Sequence, residues 1–149
     1  MKQLHHGLLL LSLSLLLGLL IVPAYVVAPI LFQELDSHQA GIIAGKIFHL
    51  ANPIILILCF LIFIEWRRMQ ASIFLWASLC LLAFCIGMNE FMISPVLQDI
   101  KAQAGPINLL NDDDPMRSKF FLIHGCSAVL HLIASLCGLF IATRPAKDA

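Results

Sequence analysis

The stretch Gly41–Ile64 reads GIIAGKIFHLANPIILILCFLIFI, and it decides the class of fold. As a helix with a rise of 1.5 Å per residue it would be about 36 Å long, which exceeds the ~30 Å hydrocarbon core of a bilayer. Lys46 is its only lysine, arginine or acidic residue. The stretch therefore predicts a membrane-spanning helix, and Pro53 is expected to kink it because proline lacks a backbone donor.

The composition of the whole chain is also that of a membrane protein. Of its 149 residues, 60% are hydrophobic and only 12% are charged, whereas a soluble domain carries about 25% charged residues. The formal net charge is zero and the sequence shows no basic patch or stripe, so we expect no nucleic-acid partner. Five cysteines fall in apolar runs without a CxxC pattern, and we expect them to pack as small hydrophobic residues.

Three further apolar runs lead us to predict an all-α fold, a four-transmembrane-helix bundle formed by one domain over residues 1–149. The expected spans are at about 7–28, 40–64, 72–94 and 118–143. The first run is longer than the 7–15 apolar residues typical of a signal peptide, so we expect it to remain as a helix. Pro29 disfavours helical geometry at Ala28 and is expected to end that helix.

Start and stop signals place the other helices. Asp36, with Gln39 three residues later, predicts a helix that begins near Ser37. Gly105-Pro106 predicts a break after the third span, and Asp114-Pro115 predicts an N-cap followed by proline at the first helical position.

The distribution of lysine and arginine predicts the orientation. The chain ends and the second loop hold five basic residues, the first loop holds none, and the third loop holds three beside several aspartates. Because basic loops remain on the cytoplasmic side, we expect both termini to be cytoplasmic. The five residues are Lys2, Arg67, Arg68, Arg144 and Lys147.

Polar side chains inside the predicted spans converge in one half of the bundle. Counting the helical rise from each midpoint places most of them on the side of the first loop, with Asn52 and His131 near the centre. Intramembrane ionisable residues are functional candidates by default. The predicted polar cluster consists of Lys46, His49, Asn52, Asn89, Glu90, His124 and His131.

Lys46 and Glu90 are expected at nearly equal depth with opposite charge. An unpaired charge at the bilayer centre costs about 2.5–3.5 kcal/mol on insertion scales, so we predict an ion pair between them, with Asn89 or His124 nearby. The alternative for Lys46 is that its ammonium reaches the membrane interface along its own flexible stem.

The sequence resembles a known family at four places along the chain. These are APILF at 28–32, AGIIAGKIF at 40–48, NEFMISP at 89–95 and FFLIHGCS at 120–127. Together they resemble the family of small four-helix membrane proteins related to transmembrane protein 205, a domain of unknown function widespread in bacteria. The resemblance implies a four-helix membrane domain and supplies no activity, substrate or cofactor. The positions that carry it are Pro29, Phe32, Gly41, Gly45, Phe48, Asn89, Pro95, Phe120 and His124.

Three functions remain open on these residues. The first, which we favour, is a non-enzymatic support or assembly role in a bacterial inner membrane, with lipid and either a second copy or another membrane protein as partners, and with no cofactor. The second is a small transporter or proton-coupled carrier, although the polar cluster stops about halfway across. The third is a metal or haem site through His49, Glu90 or His124, although the sequence contains no HExxH or CxxCH motif.

Overall fold

A computed structural model describes residues 2–69 and 71–144, with side chains from residue 5 onward. Its described part is built from helices. Four of the resulting helical segments are long and apolar enough to cross a membrane: His5–Glu34, Ser37–Trp66, Ile73–Ala104 and Pro115–Thr143, named here the first to fourth spans. The helices are α1 (Lys2–Val22), α2 (Ala28–Glu34), α3 (Ser37–Trp66), α4 (Ile73–Met88), α5 (Ser94–Ala104) and α6 (Pro115–Thr143), with a short 3₁₀ turn at Ile107–Leu109.

The four spans form a ring in which each span packs against two neighbours. The first span packs against the second and the fourth, and the third span packs against the same two neighbours. Apolar side chains from all four spans fill the centre, among them Leu16, Ile55, Leu82 and Ile141. Many large apolar side chains face outward, as Leu50 does with 70% of its surface exposed, which suits contact with lipid.

The first span is longer than its sequence predicts. We expected Pro29 to end the helix near Ala28, but the helix continues to Glu34. A π-helical turn over Pro23–Val27 makes this possible, with the amide of Ala28 bonded to the carbonyl of Pro23 five residues earlier. The wider turn accommodates a proline ring that would otherwise crowd the carbonyl four residues before it.

The third span repeats this arrangement. A second π-turn covers Asn89–Ile93, the amide of Ser94 bonds the carbonyl of Asn89, and Pro95 follows. The helix then continues to Ala104, beyond the predicted end near residue 94. In both spans the proline stands six positions after the first residue of the π-turn.

The start and stop signals predicted for the second, third and fourth spans are confirmed. The side chain of Asp36 accepts hydrogen bonds from the amides of His38 and Gln39, and the second span begins at Ser37. Asp114 accepts from the amide of Met116 ahead of the fourth span. Gly105 ends the third span with φ at +70°, a conformation that glycine adopts without strain.

The two ends of the bundle differ in charge. The acidic end carries Glu34, Asp36 and the aspartates at 112–114. The basic end carries Arg67, Arg68 and Arg144. The side chain of Lys2 and all of Lys147, which contribute to the predicted orientation, lie outside the described residues.

Gly138 lies where the first and fourth spans pack tightly. A Cβ atom at this position would lie 2.8 Å from a methyl carbon of Leu20 and 3.4 Å from one of Leu17. Gly125, on the same helix, would meet nothing within 4 Å.

We therefore expect Gly138→Leu to lower the free energy of unfolding by about 1–3 kcal/mol, the usual cost of overpacking a filled interface. Thermal unfolding in detergent measures the effect. Gly125→Leu is the matched control and should leave the stability nearly unchanged, and an equal loss in both variants would contradict the packing seen at Gly138.

Candidate functional site

A buried carboxylate on the third span forms the centre of the candidate site. Glu90 lies in the second π-turn and is only 6% exposed. Its Oε1 pairs with Nδ1 of His49, and its Oε2 accepts a hydrogen bond of 3.0 Å from Nδ2 of Asn52. His49 and Asn52 lie three residues apart on the second span, so their side chains share one face. These three residues are named the Glu90 cluster.

The predicted ion pair between Lys46 and Glu90 is wrong. Within 4.0 Å, the ion-pair partner of Glu90 among the described residues is His49, and Lys46 is exposed. Lys46 lies about 4.5 Å nearer the acidic end than His49 and about 9 Å nearer than Asn52, and its long stem allows the ammonium to reach the interface. His49 and Asn52 are instead the side chains of the second span that contact Glu90.

Asn89 is directed toward the fourth span rather than toward the Glu90 cluster. Its Nδ2 donates a hydrogen bond of 3.1 Å to the carbonyl of Ser127. The side-chain oxygens of Asn52 and Asn89 are both buried, and neither has a hydrogen-bond partner among the described residues. Each is an unused acceptor that a water or another donor could satisfy.

His131 belongs to a separate contact between the first and fourth spans. It is 8% exposed, and its Nε2 lies 2.9 Å from the carbonyl oxygen of Leu20, just before the first π-turn. A carbonyl can only accept, so Nε2 carries the proton. The ring also meets Phe48 edge-on at 5.4 Å, and Ser135 donates to the His131 carbonyl at 2.9 Å. These contacts describe a packing residue.

His124 does not join the predicted cluster. Its ring stacks on Phe120 at 5.7 Å and the side chain is exposed. Lys101, on α5, places its ammonium 5.6 Å from the centre of the same Phe120 ring and 3.4 Å from the carbonyl oxygen of Gly41. The seven predicted residues are thus divided among separate contacts, and only His49, Asn52 and Glu90 form one cluster.

A second cluster, formed around the buried carboxylate of Glu65 at the basic end, was not predicted. Glu65 is 6% exposed, its Oε2 lies 3.1 Å from Nδ1 of His5, and its Oε1 lies 3.9 Å from a guanidinium nitrogen of Arg68. Glu65, His5 and Arg68 are named the Glu65 cluster. The spacing of three between Glu65 and Arg68 was the available signal, because such residues face each other on a helix.

An apolar layer separates the two clusters. Between Asn52 and Glu65 the second span buries Ile55, Leu58 and Ile62, and Leu16, Leu20, Leu82 and Ile86 join them from neighbouring spans. In the part of the chain that the structure describes, no three histidine, cysteine, aspartate or glutamate side chains are grouped so as to hold a metal ion. The geometry supplies two separate carboxylate–histidine pairs.

The hydrogen bond between Asn52 and Glu90 can be measured by a double-mutant cycle. Asn52→Leu leaves a carboxylate oxygen short of a donor, and Glu90→Leu leaves the amide unpaired. We expect the double variant to lose less stability than the two single losses together, by about 0.5–3 kcal/mol in thermal or denaturant unfolding.

The control cycle combines Asn52→Leu with His124→Leu, whose side chain does not contact the cluster, and these two losses should add. Additive losses for Asn52 and Glu90 as well would show that their hydrogen bond does not stabilise the fold.

Comparison with known proteins gives the family. No curated protein and no solved structure matches the chain significantly. A family model described as "Domain of unknown function (DUF4149)" matches residues 11–106, about two thirds of the chain. The match contains the whole Glu90 cluster and both π-turns and ends before the fourth span. The chain therefore belongs to the DUF4149 family.

Proposed function

We propose that this chain is a non-enzymatic membrane protein that assembles with other membrane proteins through a polar face on its second span. This face consists of Gly45, Lys46 and His49, and is named the polar face. The observation that carries the proposal is the exposure of His49. Its side chain is 68% exposed although it pairs with the buried Glu90.

The depth of His49 makes this exposure costly. Centring the second span on a ~30 Å core places His49 about 10 Å inside the hydrocarbon. An imidazole is too short to reach water from there, unlike the flexible side chain of Lys46. Ionisable side chains at such depth ordinarily face the interior of a bundle or a water-filled cavity. A partner helix over the polar face would give His49 an interior position.

Gly45 supports the same assignment. A Gly41-xxx-Gly45 pattern is typical of helices that approach a neighbouring backbone closely. Within the chain Gly41 instead meets the ammonium of Lys101, while a Cβ at Gly45 would meet nothing within 4 Å. Small residues on an open helix face allow another helix to approach closely.

The setting of this assembly is also part of the proposal. The bias of basic residues supports placing the basic end, with both termini, in the cytoplasm. The motifs at 28–32, 40–48, 89–95 and 120–127 support a relationship to the family of transmembrane protein 205 and a bacterial inner-membrane location. Both stay predictions.

A photo-crosslinking side chain in place of Leu50 tests the proposal in native membranes. Leu50 is exposed and adjoins His49, whereas Phe60 is similarly exposed on the other half of the same span and provides the control position. We expect an adduct from position 50 and little from position 60. Its mass distinguishes a second copy from another protein.

Variants of the polar face complete this test. Lys46→Leu and His49→Leu should each lower the yield of the adduct several-fold, because they remove the polar groups that favour the partner over lipid. Equal yields from positions 50 and 60, or an adduct that neither variant changes, would overturn the proposal.

A proton-coupled carrier is the second candidate, and it is favoured by the two carboxylate–histidine pairs on opposite sides of the apolar layer. If Glu90 and Glu65 carry protons, Glu90→Gln and Glu65→Gln should each abolish proton flux into proteoliposomes, measured with an enclosed pH-sensitive dye. Asp99→Gln, at an exposed position, is the control. Flux that is absent from the unmodified protein or unaltered by both variants would contradict this candidate.

A further inference from the structure

A groove at the basic end lies between the first and fourth spans and the end of the second. Its volume is about 90 Å³, and it is separate from the Glu90 cluster and from the polar face. The first span contributes His6, Leu9, Leu10 and Leu13 to its lining. The second span contributes Trp66, and the turn after it contributes Met69. The fourth span contributes Ile141 and Ala142, and Arg144 follows that span.

The lining of the groove changes from polar to apolar along the membrane normal. Arg144 and His6 lie nearest the basic end, and Leu13 lies about 10 Å deeper than His6 along the first span. Leu9 is 5% exposed and forms the floor, whereas Leu10 is 52% exposed and lies at the side that faces lipid. A phospholipid has the same order of polarity, with its headgroup at the surface and its acyl chain toward the centre.

The charge of the groove indicates the class of headgroup. Its lining contains an arginine and a histidine and no carboxylate. The nearest buried acid, Glu65, is already paired with His5 and Arg68. Within the described residues the guanidinium of Arg144 lies over the ring of Phe140 at 5.6 Å, which leaves its hydrogen-bond donors available for a phosphate. Basic pockets between transmembrane helices are suited to anionic lipid headgroups.

We propose that this groove binds one anionic phospholipid, with the phosphate at Arg144 and an acyl chain along Leu9, Leu10 and Leu13. Trp66 forms one wall of the groove, so it reports on the occupant. The tryptophan is 2% exposed and packs against Trp76 at 5.6 Å.

Quenching of Trp66 by brominated lipid tests the proposal. The full chain carrying Trp76→Phe is reconstituted in phosphatidylcholine vesicles that contain a small fraction of brominated phosphatidylglycerol or, separately, of brominated phosphatidylcholine. We expect stronger quenching by the anionic lipid. Arg144→Gln should reduce this preference about five-fold, which corresponds to about 1 kcal/mol for one basic residue at the membrane surface.

Arg67→Gln is the matched control, because Arg67 is an exposed arginine at the same end that does not line the groove. It should retain the preference. Equal loss in both variants would indicate general attraction to a basic surface and would overturn the proposal, as would equal quenching by the two lipids in the unmodified groove.

A variant that ends at Arg144 distinguishes lipid from the chain's own last residues. We expect it to show the same preference as the full chain. If the preference appeared only after residues 145–149 were removed, the occupant of the groove would be that segment, and the proposal would be wrong.

Discussion

The buried carboxylate of Glu90 imposes the strictest requirement on this bundle. A carboxylate in a hydrocarbon environment must be paired and hydrogen-bonded, and both of its partners come from one face of the second span. This requirement fixes how the second and third spans align along the membrane normal.

Asn89 and Glu90 are adjacent in sequence but contact different neighbouring spans. Successive residues on a helix point in different directions, and the third span has the second and fourth spans as separate neighbours. Asn89 therefore meets Ser127 on the fourth span while Glu90 meets the second.

The π-turns place polar groups at the points where the spans contact one another. Each π-turn is followed at the same spacing by a proline, and each span continues as a helix beyond that proline. One turn carries Glu90 and Asn89 themselves, and the other begins three residues after Leu20, whose carbonyl accepts from His131. A proline within a helix interrupts the ladder of backbone hydrogen bonds, and a widened turn accommodates that interruption locally. The same local device thus occurs at the Glu90 cluster, between the second and third spans, and near the His131 contact, between the first and fourth spans.

Hydropathy and capping residues were sufficient to predict the number of spans and the starts at Ser37 and Pro115, because both signals are local. The Asp36 cap depends only on the next few amides, and the fourth span needs only Asp114 and Pro115 ahead of its apolar run.

The continuation of the helix past Pro29 could not be predicted from local signals, since a π-turn has no simple residue signature. Depth counting placed Glu90 in the same half of the bundle as His49 and Asn52, but it matched Glu90 with Lys46, and that choice was wrong. That choice depends on which side chains face the third span, and a shift of a few ångströms decides it. The pairing of His5 with Glu65 joins residues 60 positions apart and required the three-dimensional arrangement.

The placement of the polar groups is the reason that we propose recognition within the plane of the membrane rather than passage through the bundle. The apolar layer around Ile55 and Leu82 separates the Glu90 cluster from the Glu65 cluster, so neither continues into the other through the centre. Both clusters instead extend outward: His49 is largely exposed at the side of the bundle, and the side chain of His5 is 42% exposed. A carboxylate that holds a histidine at the lipid-facing surface keeps a hydrogen-bonding ring in a defined orientation there. That orientation favours a neighbour that presents a complementary group at the same depth, and lipid tails offer no such group.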